Sequence, residues 1–200
     1  MRRYHCGCGG DIRKGYTNID GFNPKADIVA DMRYLKYEPC SEILCRHAFE
    51  HLTYVDSFLV LSRWTEALEV GGKLILEVPD TFRIAREASH LGAQAQARAT
   101  RLIHGSQEAD WALHMCSWAE EWSKFVLETF GYRGVSFQRT EHEVQCWPNY
   151  ALIISAIKDT ALSNEELLYK SKMLLGWYLH PSETEMHQKY IRDLEAKWRL

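Results

Sequence analysis

The chain has no stretch approaching the roughly 20 uninterrupted apolar residues of a membrane span, and Met1 is followed by Arg2 and Arg3 rather than by an apolar signal region. These two absences predict a cytoplasmic protein with no membrane partner. Charge of neither sign is in excess: 24 Lys and Arg stand against 27 Asp and Glu, a net charge of −3. The whole-molecule field therefore does not favour a phosphate backbone, and nucleic acid is not the expected partner. Internal repeats and low-complexity linkers are also missing. With 46% apolar and 26% charged residues, the 200-residue chain has the make-up of one packed domain plus an appendage rather than a disordered or rod-like protein.

Cysteine occurs six times (Cys6, Cys8, Cys40, Cys45, Cys116, Cys146), but zinc-knuckle spacing is absent. Structural zinc sites use C-x₂₋₄-C pairs, whereas Cys6 and Cys8 form a C-x-C pair beside His5, with Cys40 and Cys45 far away. Reduced thiols, no disulfides and no metal are the expectation for a chain without a secretion signal.

Short apolar runs then alternate with turn signals and amphipathic stretches, the pattern of a parallel sheet with crossover helices. The expected strands are Arg3 to Cys6, Tyr16 to Ile19, Ile28 to Ala30, Glu42 to Cys45 and Lys73 to Val78, with a helix from Tyr54 to Leu68 stopped by Gly71-Gly72. Residues 81–121 look like an insertion over the sheet edge, helical in the Ala-rich 93–99 and loop-like at Ile103 to Gln107 and Ala109 to Trp111. A helix from Trp118 to Phe130, ended by Gly131, precedes an antiparallel pair of strands, Val135 to Arg139 and Ala151 to Ile157. Two capping-box patterns, Ser163-x-x-Glu166 and Ser182-x-x-Glu185, predict a helical hairpin over residues 161–200, beyond a domain of residues 1–160. Its apolar residues, Leu167, Leu168, Leu174, Leu175 and Tyr178, then Met186, Tyr190, Leu194 and Trp198, must be buried against the core, as a lid, or in a homodimer.

The densest local signal is Gly7-Cys8-Gly9-Gly10, where the first strand ends and a helix is expected to begin. Glycines there let backbone approach a ligand, and a helix N-terminus favours a negative group. A dinucleotide fingerprint would need a third glycine where Ile12 stands and an acid about 20 residues on. Asp20 comes only thirteen positions after Gly7, suited to ribose hydroxyls, and Asp31 could meet an adenine amino group. The spacing selects adenosine without a pyrophosphate.

These residues resemble the class I S-adenosylmethionine-dependent methyltransferases, in particular small proteins of the methyltransferase type 11 kind. The resemblance rests on five ordered stretches: His5 to Gly10, Asn18-Ile19-Asp20, Asp27 to Met32, Arg46 to Leu52, and Leu68 to Asp80. It spans residues 3–80 closely and 100–158 loosely. It implies a Rossmann-like α/β fold with a seven-stranded, mostly parallel sheet whose last strand is antiparallel, here followed by the C-terminal helical hairpin. It further implies S-adenosylmethionine as cofactor and S-adenosylhomocysteine as product. Cys6, Gly7, Cys8 and Gly9 would lie at the methionine part, Asp20 at the ribose, Asp31 and Met32 at the adenine, and Arg46 and His47 beside the transferred methyl. The chain departs from the family in having almost nothing before its first strand and in carrying Asp11 beside the glycines.

His47 is a candidate general base because imidazole titrates near neutrality. His114, between Trp111 and Trp118, is the second catalytic candidate, while His51 reads as architectural and Trp122 as core. Arg98, Arg101 and His104 form a loose basic group. The function expected is methyl transfer to an oxygen or nitrogen of a small molecule or saccharide; the rival is a cofactor-binding or scaffold protein of the same fold without turnover. A nucleic-acid methyltransferase would show an Asn/Asp-Pro-Pro-aromatic loop, and Arg46-His47-Ala48-Phe49 is not one.

Overall fold

The structure is a computed structural model that describes residues 1–144 and 147–200; Cys146 lies outside the described residues. Seven strands, β1 (Arg3–Cys6), β2 (Thr17–Asp20), β3 (Ile28–Val29), β4 (Cys40–Arg46), β5 (Leu68–Pro79), β6 (Tyr132–Val144) and β7 (Trp147–Lys158), form one sheet in the order β3-β2-β1-β4-β5-β7-β6. The first five run parallel, and β7 is antiparallel to both β5 and β6. The expected mostly parallel sheet with an antiparallel last strand is the fold observed. Among the described residues six α-helices accompany it: α1 (Tyr54–Ala67), α2 (Thr81–Ala88), α3 (Ala93–His104), α4 (Glu120–Thr129), α5 (Asn164–Leu175) and α6 (Thr184–Trp198).

The core lies on one face of the sheet. Leu74, Leu76 and Val78 of β5 join Cys6, Ile43, Cys45 and Ile154 there, against α1 and α4, following the two-residue alternation of a strand. Thr53 caps α1 by accepting the Asp56 N–H. Phe58, Leu59, Val60 and Leu61 of α1 are all fully buried, so the middle of this helix is covered all round, while Glu66 near its end is exposed. Its second cover is the C-terminal hairpin, where Leu167, Leu174, Leu175 and Leu194 are buried and Tyr190 and Trp198 pack against the same core. Ser62 and Ser171 share a hydrogen bond across this contact (3.1 Å), and Lys172 pairs with Glu195 between the two hairpin helices. Met186 stays exposed.

Four sequence expectations need correction. No helix follows the glycine run: residues 7–16 are turns held by Asp11 N–H to Cys8 O and Tyr16 N–H to Arg13 O, because a helical crossover between parallel strands needs a dozen or more residues. Gly71-Gly72 does not stop a helix. The helix ends at Ala67, and the glycines sit in a bulge where β5 advances from Leu68 to Lys73 while β4 advances only from Cys40 to Glu42. Ser182-x-x-Glu185 is not a capping box: α6 starts after Glu183, whose carboxylate accepts the His180 N–H, and Ser182 bonds the His180 ring instead. The expected box at Ser163 and Glu166 is present. Finally, residues 81–121 hold more helix than expected. Ile103 and His104 belong to α3, which with α2 makes a small second cluster of Ile84, Ala88, Ala99, Leu102, Ile103 and Tyr150.

Candidate active site

The loops after β1, β2, β4 and β5 converge at one end of the sheet. Gly7 leaves β1 at φ +65°, and a Cβ there would stand 2.3 Å from Ala48 Cβ and 3.1 Å from Met32 Cε. Its missing side chain therefore makes room for neighbouring residues. Gly9, at φ +50°, and Gly10 differ, since no atom lies within 4 Å of where a Cβ would be. Their backbone faces open space. Gly9 N–H donates to Asp20 (2.8 Å), while the other Asp20 oxygen accepts the Phe22 and Asn23 N–H groups; the Asn23 side chain returns a bond to Gly9 O.

Cys6 and Cys8 point away from this opening. Both thiols are buried, and burial pushes Cys6 up to about 12 and Cys8 upward. Only their backbone remains for a ligand. Asp31 is bridged through both oxygens to Arg33, which also reaches the buried Asp56 (3.3 Å). The Asp31 carboxylate is thus paired with an arginine two residues away in sequence and stays partly exposed at the same end of the sheet. Met32 packs under Gly7 instead.

At the end of β4, Arg46 spans Glu77 and Asp11 (3.1 Å). His47, at φ +49°, lies between two carboxylates: Nδ1 is 3.6 Å from Glu50 and Nε2 is 3.3 Å from Glu77. The neighbouring carboxylates, Glu50 first and then Glu77, raise the imidazole to about 9. His47 and Arg46 in turn hold Glu77 down to about 2. The two carboxylates thus favour the His47 cation near neutral pH, the state that donates rather than accepts a proton.

Beside it lies a cavity of about 280 Å³ walled by His47, Glu50, His51, Arg101, Trp111 and His114. Two backbone bonds, from Met115 and Cys116 N–H to Glu50 O, sew the 113–116 segment onto the 3-10 turn Phe49–His51. This brings His114 against His51, with ring centroids 4.8 Å apart. Burial lowers the His114 pKa below the ordinary histidine value, so this imidazole is neutral. Phe22 and Trp111, both exposed, meet at 5.7 Å between ring centroids and connect the β2 loop to the cavity wall. Trp118 is core, and Trp122 donates to the Tyr178 hydroxyl (3.0 Å) among packed aromatics. Of the basic group Arg98, Arg101 and His104, the cavity wall includes Arg101.

Sequence reasoning missed Glu50 and Glu77 as site residues. Glu77 had a signal: a carboxylate inside Leu74-Ile75-Leu76-Glu77-Val78 is costly to bury without partners. Glu50 had none, since its neighbours His47 and His114 are separated by most of an insertion.

No family model matches the sequence, and no curated protein matches it. Solved structures do match in fold. A possible exported protein from Bordetella parapertussis aligns with a TM-score of 0.51 and 13% identity over 79% of this chain and 61% of that one. The S-adenosylmethionine-dependent methyltransferase SibL, in its apo form, aligns with a TM-score of 0.50 and 14% identity over 80% of this chain and 51% of that one. The chain spans less than two thirds of the length of either. The sheet order and the lone antiparallel β7 are those of the class I S-adenosylmethionine-dependent methyltransferase fold.

Proposed function

We propose that the chain binds S-adenosylmethionine and transfers its methyl group to an oxygen or nitrogen of a small molecule or saccharide. The observation that carries this reading is the bare Gly9-Gly10 backbone, open to solvent beside Asp20 and neighbouring a walled cavity at the same end of the sheet. The residues fit the cofactor in part. Gly9 and Gly10 admit the methionine portion without a side chain in the way. Asp20 retains acceptor capacity for ribose hydroxyls, because an ionised carboxylate offers about four lone-pair sites and three N–H groups occupy it. Asp31, paired with Arg33 but partly exposed, is left to meet the adenine amino group, and Phe22 with Trp111 adds aromatic surface beside the β2 loop.

When bound, the cofactor supplies a methyl carbon on a positively charged sulfur. The chain's own part is to hold the acceptor in line and keep water out, effects that reach roughly 7–11 kcal/mol in well-oriented systems. Arg101 and the His47 cation make the cavity wall favourable for an electron-rich acceptor, and neutral His114 is placed to take a hydrogen bond from its O–H or N–H. The second reading, a cofactor-binding protein without turnover, is favoured by the protonated state of His47.

Thermal melting with S-adenosylhomocysteine and with NAD tests the cofactor. A ligand at 100 times its Kd adds about 2.7 kcal/mol, so the homocysteine compound raises Tm and NAD does not; stabilisation by NAD alone overturns the reading. Asp20→Ala is a poor companion, because it also strips three loop N–H groups of their acceptor. Gly9→Ala is the sharper variant, expected to cut S-adenosylhomocysteine affinity tenfold or more while the protein stays folded.

A further inference from the structure

We propose that Glu50, His51 and His114 form a binding site for one divalent transition-metal ion of the zinc or cobalt class, open on its free side to the 280 Å³ cavity. One donor atom from each of the three lies within 4.8 Å of the others. Glu50 is buried, with 3% of its surface exposed, and its Oε2 has no hydrogen-bond partner among the described residues. A buried carboxylate oxygen left unpaired is costly. His47 does not satisfy it, since that ring faces the other oxygen at 3.6 Å, beyond hydrogen-bond range.

The two histidines are prepared in complementary ways. His51 Nδ1 lies 2.9 Å from the Leu113 carbonyl, an acceptor only, so Nδ1 carries the proton and Nε2 presents a lone pair. A backbone carbonyl fixing the tautomer of a ligating imidazole is a recurrent feature of metal sites. His114 Nε2 stands 4.0 Å from Glu50 Oε1, and its buried Nδ1 has no partner.

Two imidazoles and one carboxylate suit zinc, cobalt, nickel or ferrous iron better than calcium or magnesium, which prefer all-oxygen shells. Three protein donors leave a position for water or for an oxygen or nitrogen of a bound molecule, the pattern of reactive rather than structural zinc sites. Metal–donor bonds of about 2.0–2.2 Å require the three groups to draw together, by side-chain rotation about the cavity mouth. The thiols that a sequence-level search for zinc would weigh, Cys6 and Cys8, take no part.

The site shares His114 and its cavity with the proposed methyl transfer, and the experiment keeps the two apart. Full-length protein stripped with chelator is titrated with Co²⁺ alone, followed by visible d–d absorption, and then with Zn²⁺ as competitor. One equivalent of Co²⁺ should bind and be displaced by Zn²⁺. Glu50→Gln, which preserves shape, and His114→Ala should each weaken binding on the order of a hundredfold, because even outer partners of a ligand count for 10–100-fold; Cys6→Ser and Cys8→Ser should leave it unchanged. Circular dichroism identifies any variant that fails to fold, in which case the remaining one decides. Absence of stoichiometric Co²⁺ binding, its survival in folded Glu50→Gln or His114→Ala protein, or its loss in Cys8→Ser overturns the proposal. S-adenosylhomocysteine affinity, measured on the stripped protein, reports on the methyltransferase reading alone.

Discussion

Gly7 and Gly9 flank Cys8, share a left-handed backbone, and differ in what a side chain would meet. At Gly7 a methyl group would collide with Ala48 at 2.3 Å, so Gly7→Ala should destabilise by about 2–4 kcal/mol, the sum of left-handed backbone cost and overpacking. At Gly9 only the backbone cost of about 1–2 kcal/mol applies. Urea denaturation of the two variants checks this, and equal losses would show that the open space at Gly9 is not there. His47 invites a test by pH. Its pKa is raised from 6.5 to about 9 on folding, so the stability it contributes is present in full below about pH 6.5 and is lost as pH rises through 9. Glu77, lowered from 4.5 to about 2, works in the opposite sense: its contribution is whole above 4.5 and lost as pH falls through 2. The stability difference between wild type and His47→Gln should therefore shrink from about pH 7 to about pH 10, and an NMR titration should place the His47 ring near 9. The His47 side chain is 39% exposed, so solvent screening keeps the difference small.

Among the elements, α1 shows how an end is held from a distance. Lys158, on β7 and 5% exposed, donates from Nζ to the Thr65 and Leu68 carbonyls (2.6 and 2.5 Å) at the helix C-terminus, where a cation meets the negative end of the dipole. Lys158→Met should leave two buried carbonyls unpaired and cost about 2–4 kcal/mol, or roughly 5–15 °C in Tm for a chain of this size; calorimetry reads it. Elements of this chain were legible where local pattern and strand order agree. β1 is bounded by Arg3 and Gly7, so its expected position holds, while the apolar run Leu74-Ile75-Leu76 marks the expected Lys73 to Val78 inside a β5 that starts earlier, at Leu68. The helix expected after the glycines was misread because glycine composition says nothing about crossover length, and ten residues to β2 leave no room for one. α2 escaped notice because its apolar face consists of Ile84 and Ala88, buried by α3 and by Tyr150 from across the sheet. The same limit applied to the site. Asp20 could be placed from spacing, whereas the ion pair of Asp31 with Arg33 and the meeting of Glu50 with His114 are set by tertiary packing.

At the scale of the molecule, α1 is the middle layer between the sheet and the α5–α6 hairpin, and charge runs through all three. Asp31 holds Arg33, Arg33 reaches Asp56 at the start of α1, and Asp56 accepts Lys197 of α6 at 2.8 Å. The hairpin is thus tied to the loop after β3, at the edge of the proposed cofactor site, by ion pairs to a carboxylate that is 2% exposed. Removing residues 162–200 would bare the outer face of a helix whose middle is buried all round, and exposed apolar faces of that extent drive association. The truncated chain should aggregate or change mass by light scattering. A milder change separates the tie from the packing. Lys197→Met keeps the apolar contact of α6 but leaves Asp56 with Arg33 as its remaining cation, so Arg33 is drawn toward Asp56 and away from Asp31. The variant should lose about 1–3 kcal/mol, less than a fully orphaned buried charge would cost, remain folded, and bind S-adenosylhomocysteine severalfold more weakly as the 31–33 loop shifts. Calorimetric titration of folded Lys197→Met protein gives the answer: unchanged affinity beside a lowered Tm would mean that the hairpin supports α1 and has no hold on the site.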